Sequence, residues 1–247
     1  MSGAVADRLT FHRNPLRMFF SPAPWAATAY LLSYIPFGTT LFATTVAVVA
    51  TSTALSASWL CFPLLVGAAG IVRGAAEVER QRARLVSAPI EASYRPVTGR
   101  GVLAQLKTRW RDRATIRNVL YLVAMYPPLL LLDTVLVALW LLGLGMITIP
   151  AWFWALPQTW PNGDTGNGLM IGLRPAGLDG TGGVWIGDVP TALLFAFIGF
   201  EFALLAGYGV VAGARLHRHL ARWFLGTPRD PLAPALRILA EPGPLGR

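Results

Sequence analysis

Residues 119–143 read VLYLVAMYPPLLLLDTVLVALWLLG, an apolar run with no lysine or arginine and a single acid, Asp133. A helix needs roughly 20 apolar residues to cross the hydrocarbon layer of a bilayer, so this run is long enough for one span. Similar runs lie on either side of it. The chain carries 21 Lys and Arg, and all but Arg174 fall in three stretches, residues 1–24, 73–118 and 212–247. Long apolar segments without a basic residue separate them. Spans are expected at about 25–54, 59–76, 119–143 and 191–214. Basic residues near helix ends stay on the cytoplasmic side, so both termini and the 77–118 loop are expected inside and the 157–189 loop outside.

The bulk composition agrees. Only 13% of residues are charged, mean hydropathy is +0.52 and net charge is +9, whereas a soluble domain carries about 25% charged residues. The positive charge flanks apolar spans, where anionic headgroups attract it, so nucleic acid is not expected as a partner. A lone cysteine, Cys61, excludes an intrachain disulfide, and no CxxC or His/Cys cluster offers a metal site. The first apolar run exceeds the 7–15 residues of a cleavable signal.

The N-terminal segment 1–24 is basic and ends Ser21-Pro22-Ala23-Pro24, prolines that suit a first helical turn. In the inner loop Val102, Leu106 and Trp110 recur every four residues among Lys107, Arg109, Arg111 and Arg113, the pattern of an amphipathic helix at the headgroup layer. Helix 2 is expected to continue as a charged extension through Glu77-Val78-Glu79-Arg80-Gln81-Arg82. Trp140, Trp152, Trp154 and Trp160 mark the outer interface, where amphipathic rings prefer to sit, and Trp110 the inner one. The Gly-rich outer loop carries Asp164, Asp179 and Asp188; it lacks the acid that would complete an EF-hand, since Pro175 stands there. A Pro-rich tail, 229–247, closes the chain.

An internal repeat is visible. Tyr30-Leu31 with Pro36 recurs as Tyr121-Leu122 with Pro127, and Gly70-x-x-x-Gly74 recurs as Gly209-x-x-x-Gly213. The fold expected is therefore an all-α integral membrane domain over 25–228, four transmembrane helices in two tandem parallel hairpins, with an interfacial cytoplasmic helix. Small residues allow close helix approach, within the chain or in a homodimer; Gly199, Ala203 and Gly207 extend such a stripe on helix 4.

Asp133 and Glu201 are the only acids inside the spans, and no Lys or Arg lies at their depth. A charged side chain there costs at least about 2.5–3.5 kcal/mol, so they form a candidate polar pair. Interhelical hydrogen bonding, with Thr39, Thr40, Thr44, Thr45 or Tyr208 as partners, is the plainer reading. His12, His217 and His219 sit in basic surroundings with no acid beside them and are expected to touch headgroups. No serine or threonine has a partner base and no phosphate-binding GxxxxGK[ST] occurs, so neither an enzyme nor a cofactor is expected.

Pro24-Trp25…Tyr30-Leu31-Leu32…Pro36, Arg111-Asp112-Arg113-Ala114-Thr115-Ile116-Arg117…Tyr121-Leu122…Pro127 and Leu144-Gly145-Met146-Ile147-Thr148-Ile149-Pro150-Ala151-Trp152-Phe153-Trp154 resemble the sensor domain family of actinobacterial two-component histidine kinases. The likeness covers about residues 20–228; Ile116 stands where the family usually has Trp. The resemblance implies a four-span domain that receives a membrane or extracellular cue. Only 229–247 follow, so it implies a stand-alone sensor-like protein of the plasma membrane whose output passes through a membrane signalling protein such as a histidine kinase. The alternatives are an accessory structural subunit of a transporter complex, or a small proton-coupled transporter using Asp133 and Glu201.

Overall fold

The computed structural model describes residues 8–55, 58–59, 61–97, 99, 101–159, 165–172 and 183–227. Seven α-helices lie among these: α1 (Pro15–Phe19), α2 (Pro22–Ala54), α3 (Cys61–Ala83), α4 (Val102–Trp110), α5 (Arg113–Val123), α6 (Tyr126–Trp152) and α7 (Val189–Leu225). Four of them, α2, α3, α6 and α7, are long and apolar enough to cross a membrane. Large apolar side chains such as Leu131, Leu142, Phe197 and Leu205 are exposed along them. Water would leave such faces uncovered at high cost, and lipid covers them.

Two features depart from the expected fold. The 157–189 loop carries strands: β1 (Pro157–Thr159) pairs antiparallel with β2 (Thr165–Asn167), and β3 (Leu169–Gly172) with β4 (Gly183–Ile186). The domain remains mostly helical, with these two short ladders added to it. Apolar residues at Leu169, Met170 and Ile171 face Ile186, Trp185 and Val184 across the second ladder, and cross-strand pairs of this kind are what stabilise a short hairpin. Ile186 is fully buried with Ile149, Phe153 and Ala192, which ties the hairpin to the ends of α6 and α7.

The third expected span also changes. Its start at 119 belongs to α5, and the chain breaks at Ala124–Met125 before α6 begins at Tyr126. Pro127 and Pro128 explain this, because consecutive prolines lack N–H donors and fit only a first turn. Nor does the helix end at Gly143; α6 runs on to Trp152. Pro36, lone and without a second proline, leaves α2 unbroken. The Tyr-Leu…Pro motif thus lies within one helix in its first copy and across a helix break in its second.

The described residues divide into two compact units. The first holds 36–128 and 216–227, the second 8–35 and 129–215. In the second unit, Asn14 caps α1 by accepting the N–H groups of Leu16 and Arg17 at 3.0 and 3.4 Å. Asp188 caps α7 in the same way, accepting the Thr191 N–H at 2.7 Å; the Thr191 backbone and side chain hold its carboxyl below the usual range. The segment ahead of α1 lies along α7, with the Tyr208 hydroxyl donating to the His12 carbonyl at 2.7 Å and the Arg215 Nε to the Leu9 carbonyl at 2.7 Å.

In the second unit α6 and α7 approach closely. A Cβ on Gly143 would stand 2.9 Å from the Ala203 Cβ and 3.0 Å from its Cα, and one on Gly199 would meet Met146 and the Ile147 N–H. The tight stripe is therefore Gly199–Ala203–Gly207, rather than the two GxxxG pairs. Gly209 and Gly213 face the Leu136 side chain, Gly70 faces Arg109, and Gly74 has nothing within 4 Å. Gly143→Val is expected to lower stability by about 1–3 kcal/mol, because backbone stands where the new methyls would go. Thermal unfolding in detergent reads the loss; an unchanged Tm would refute this close packing.

Candidate functional site

The charged extensions of α3 and α7 carry the densest polar structure in the first unit. Glu79 and Arg82 lie one turn apart on α3, so their side chains meet on one face. They pair at 3.0 Å and both are buried, with side chains 1% and 4% exposed. Arg82 Nη2 also lies 2.9 Å from His217 Nε2. A guanidinium can only donate, so Nε2 accepts and the imidazole carries its proton on Nδ1. Tyr121, on α5, places its hydroxyl 3.4 Å from Glu79 Oε2 and 3.1 Å from the same His217 nitrogen. One carboxylate, one guanidinium, one imidazole and one phenol thus join α3, α5 and the end of α7.

Two further contacts extend this cluster. Arg80 donates to Glu77 at 2.7 Å, to the Tyr94 hydroxyl, and through Nε to the Leu225 carbonyl at 3.3 Å. Leu225 is the last residue of α7, where carbonyls lack intrahelical donors and the dipole favours a cation. Arg80 therefore caps α7 from α3. The Tyr94 hydroxyl accepts from Asn118 Nδ2 at 3.0 Å, which brings in α5. One turn or more back along α3, Arg73 pairs with Asp112 at 2.9 Å and donates to Thr115 at 3.0 Å, with its guanidinium 4.4 Å from the Tyr94 ring centre. Asp112 also caps α5 through the Ala114 N–H and accepts the Arg95 N–H, both at 3.1 Å. Such a network is a set of ion pairs and hydrogen bonds between side chains of α3, α5 and α7. It fixes three helices to one another, and a change in any one of them must move or break the others.

Several residues singled out in the sequence stand elsewhere than expected. His217 is wholly buried among Glu79, Arg82 and Tyr121 and does not reach a headgroup. Trp140 is also wholly buried, against Phe19 and Trp25 with ring centres 5.6 Å away in each case, so it is core and not an interfacial anchor. The Trp110 indole donates to the Leu65 carbonyl at 2.8 Å and Arg109 to Val66 at 3.3 Å, which docks α4 along α3. Trp152 donates to Thr148 at 3.1 Å, and Trp154 is exposed. Asp133 is fully buried while Glu201 is exposed on α7, in line with Phe197 and Leu205, so the two acids have unlike surroundings. The Tyr208 hydroxyl goes to His12, Thr39 pairs with the Tyr126 hydroxyl at 2.9 Å, and Thr40 returns to the Pro36 carbonyl. Trp160, Asp164, Asp179 and the 229–247 tail lie outside the described residues.

The buried cluster was only half visible beforehand. The Glu79-x-x-Arg82 spacing gives the ion pair, but no local pattern links it to His217 or Tyr121. The one available signal was Tyr121 itself, the counterpart of Tyr30 in the repeat; both are fully buried.

Four apolar spans, with a buried polar cluster at the ends of α3 and α7, define a multi-pass membrane protein. The chain belongs to the family described as "Putative sensor", whose profile matches residues 30–225. No curated protein and no solved structure matches it.

Proposed function

We propose that this protein sits in the plasma membrane with both termini cytoplasmic, as two tandem hairpins, with the exposed Val102 and Leu103 of α4 at the inner headgroup layer. It receives a membrane or extracellular cue and relays it to a partner such as a histidine kinase. The family assignment supports the sensing role. The observation that carries the relay is the buried Glu79–Arg82–His217–Tyr121 cluster, because it couples the end of α7 to α3 and α5 without an exposed joint. α7 is one unbroken helix from the outer loop to Leu225, so a cue that shifts its packing reaches the cluster directly. Any such cue must favour one packing over another by its own differential affinity.

The test is affinity capture of the tagged protein from its own membrane in gentle detergent, with bound proteins identified by mass spectrometry. Stoichiometric recovery of a histidine kinase or response regulator is expected. Recovery of permease or ATPase subunits instead would replace this reading with a structural role in a transporter complex.

A further inference from the structure

Next to the buried cluster, with Phe224 against Tyr121, the first unit holds a groove of about 840 Å³. Its charged lining is Arg117 of α5 with His219 and Arg222 of α7, opposed by the single acid Glu91. The rest is largely apolar and aromatic: Ile90, Leu120, Trp223 and Phe224. The Arg117 guanidinium lies 6.0 Å from the Trp223 ring centre, which holds one cation at the mouth beside an exposed indole. His219 and Arg222 are three apart on α7 and so share a face, while Trp223 continues beside them. Two guanidinium forks and an imidazole N–H supply donors suited to phosphate oxygens, and guanidinium geometry matches phosphate in bidentate fashion.

We infer that this groove binds the phosphate group of an anionic amphiphile, with Arg117, Arg222 and His219 on the phosphate and Leu120, Ile90 and Trp223 against its apolar part. Excess cation alone would suit any anion; the apolar floor next to it selects one that carries hydrocarbon. A phospholipid headgroup meets both demands, whereas a soluble phosphate ester would meet the first alone. The site stands apart from the relay, since ligand occupancy is measured directly and needs neither partner nor cue.

The experiment uses the full chain in mild detergent and in nanodiscs. Native mass spectrometry compares retention of phosphatidylglycerol with that of phosphatidylcholine, and a second arm titrates glycerol phosphate in the absence of lipid. The intact protein is expected to retain phosphatidylglycerol at least tenfold over phosphatidylcholine. Arg117→Gln with Arg222→Gln should abolish the preference, whereas Arg13→Gln with Arg111→Gln, an equal loss of exposed charge elsewhere, should preserve it. Glu91→Gln removes the opposing carboxylate and should strengthen retention severalfold, a gain that no misfolded variant would show. Binding of glycerol phosphate in the absence of lipid would assign the site to a soluble ester, and its failure to bind, with phosphatidylglycerol retained, assigns it to the bilayer. Equal retention in the intact protein and the Arg117/Arg222 variant, with no glycerol phosphate bound by either, overturns the inference.

Discussion

Glu79→Ala is expected to destabilise the protein by about 3–5 kcal/mol, because it strips a buried cation of its partner. The Arg82 side chain is only 4% exposed and cannot turn to water for compensation. Its remaining neighbour, His217 Nε2, is a neutral acceptor and replaces one lone pair, not a charge. The Tyr121 hydroxyl would lose the carboxylate in the same step. Removing both charges together gives a different result. Glu79→Leu with Arg82→Met leaves no uncompensated ion, and swaps of this kind are often neutral or stabilising. Unfolding followed by circular dichroism in detergent should therefore show a large drop in Tm for the single variant and near-recovery for the double one. The double variant also separates folding from relay: with α3, α5 and α7 still packed but the polar coupling removed, partner output should fall while stability holds. A single variant as stable as the intact protein would show that the cluster is hydrated, and the relay would lose its support.

The membrane character of this chain was legible because it depends on where single residue types are placed. Basic residues confined to three stretches mark the apolar runs between them, and length alone makes those runs capable of spanning. What an apolar residue does inside a run is another matter. Trp140 and Trp154 look alike in the sequence, both aromatic near an expected interface, yet one is buried and the other exposed. The difference is which helix face meets a neighbour, and that is decided by residues far away such as Phe19 and Gly207. The glycines show the same limit. Spacing singled out Gly70, Gly74, Gly209 and Gly213 as well as the Gly199–Ala203–Gly207 stripe, but close packing needs a helix on the other side, and among the described glycines of the spans Gly143, Gly199 and Gly207 are those with backbone or a ring of another helix against them. Turn chemistry was readable but underweighted: Pro127-Pro128 had to start a helix, so the run from 119 could not be one. The histidines failed for a related reason. No acid stands beside His217 in the sequence, while the fold brings Arg82, with its partner Glu79, to it across 135 positions of chain.

The second large effect concerns the core of the second unit. Trp140→Ala should destabilise by about 3–5 kcal/mol, toward the lower end, since lipid offers the reference state some of the same apolar contact. Trp140 is fully buried, its indole stands edge-on to Trp25 and tilted against Phe19, and a Cβ on Gly207 would come within 3.1 Å of the ring. Gly207 is thus the space the indole occupies, and truncation leaves a void that α7 cannot fill without moving its backbone. The indole N–H has no hydrogen-bond partner among the described residues. That makes Trp140→Phe the informative companion: it keeps most of the ring contacts and discards a buried unsatisfied donor, which costs about 1–3 kcal/mol where it stands. The phenylalanine variant is therefore expected to unfold within a few degrees of the intact protein, and the alanine variant well below it. A headgroup-anchoring tryptophan would give the reverse order of sensitivity, with loss of the N–H mattering most and the Phe variant already impaired. The two Tm values, read side by side in detergent and in nanodiscs, distinguish a packing residue from an interfacial one.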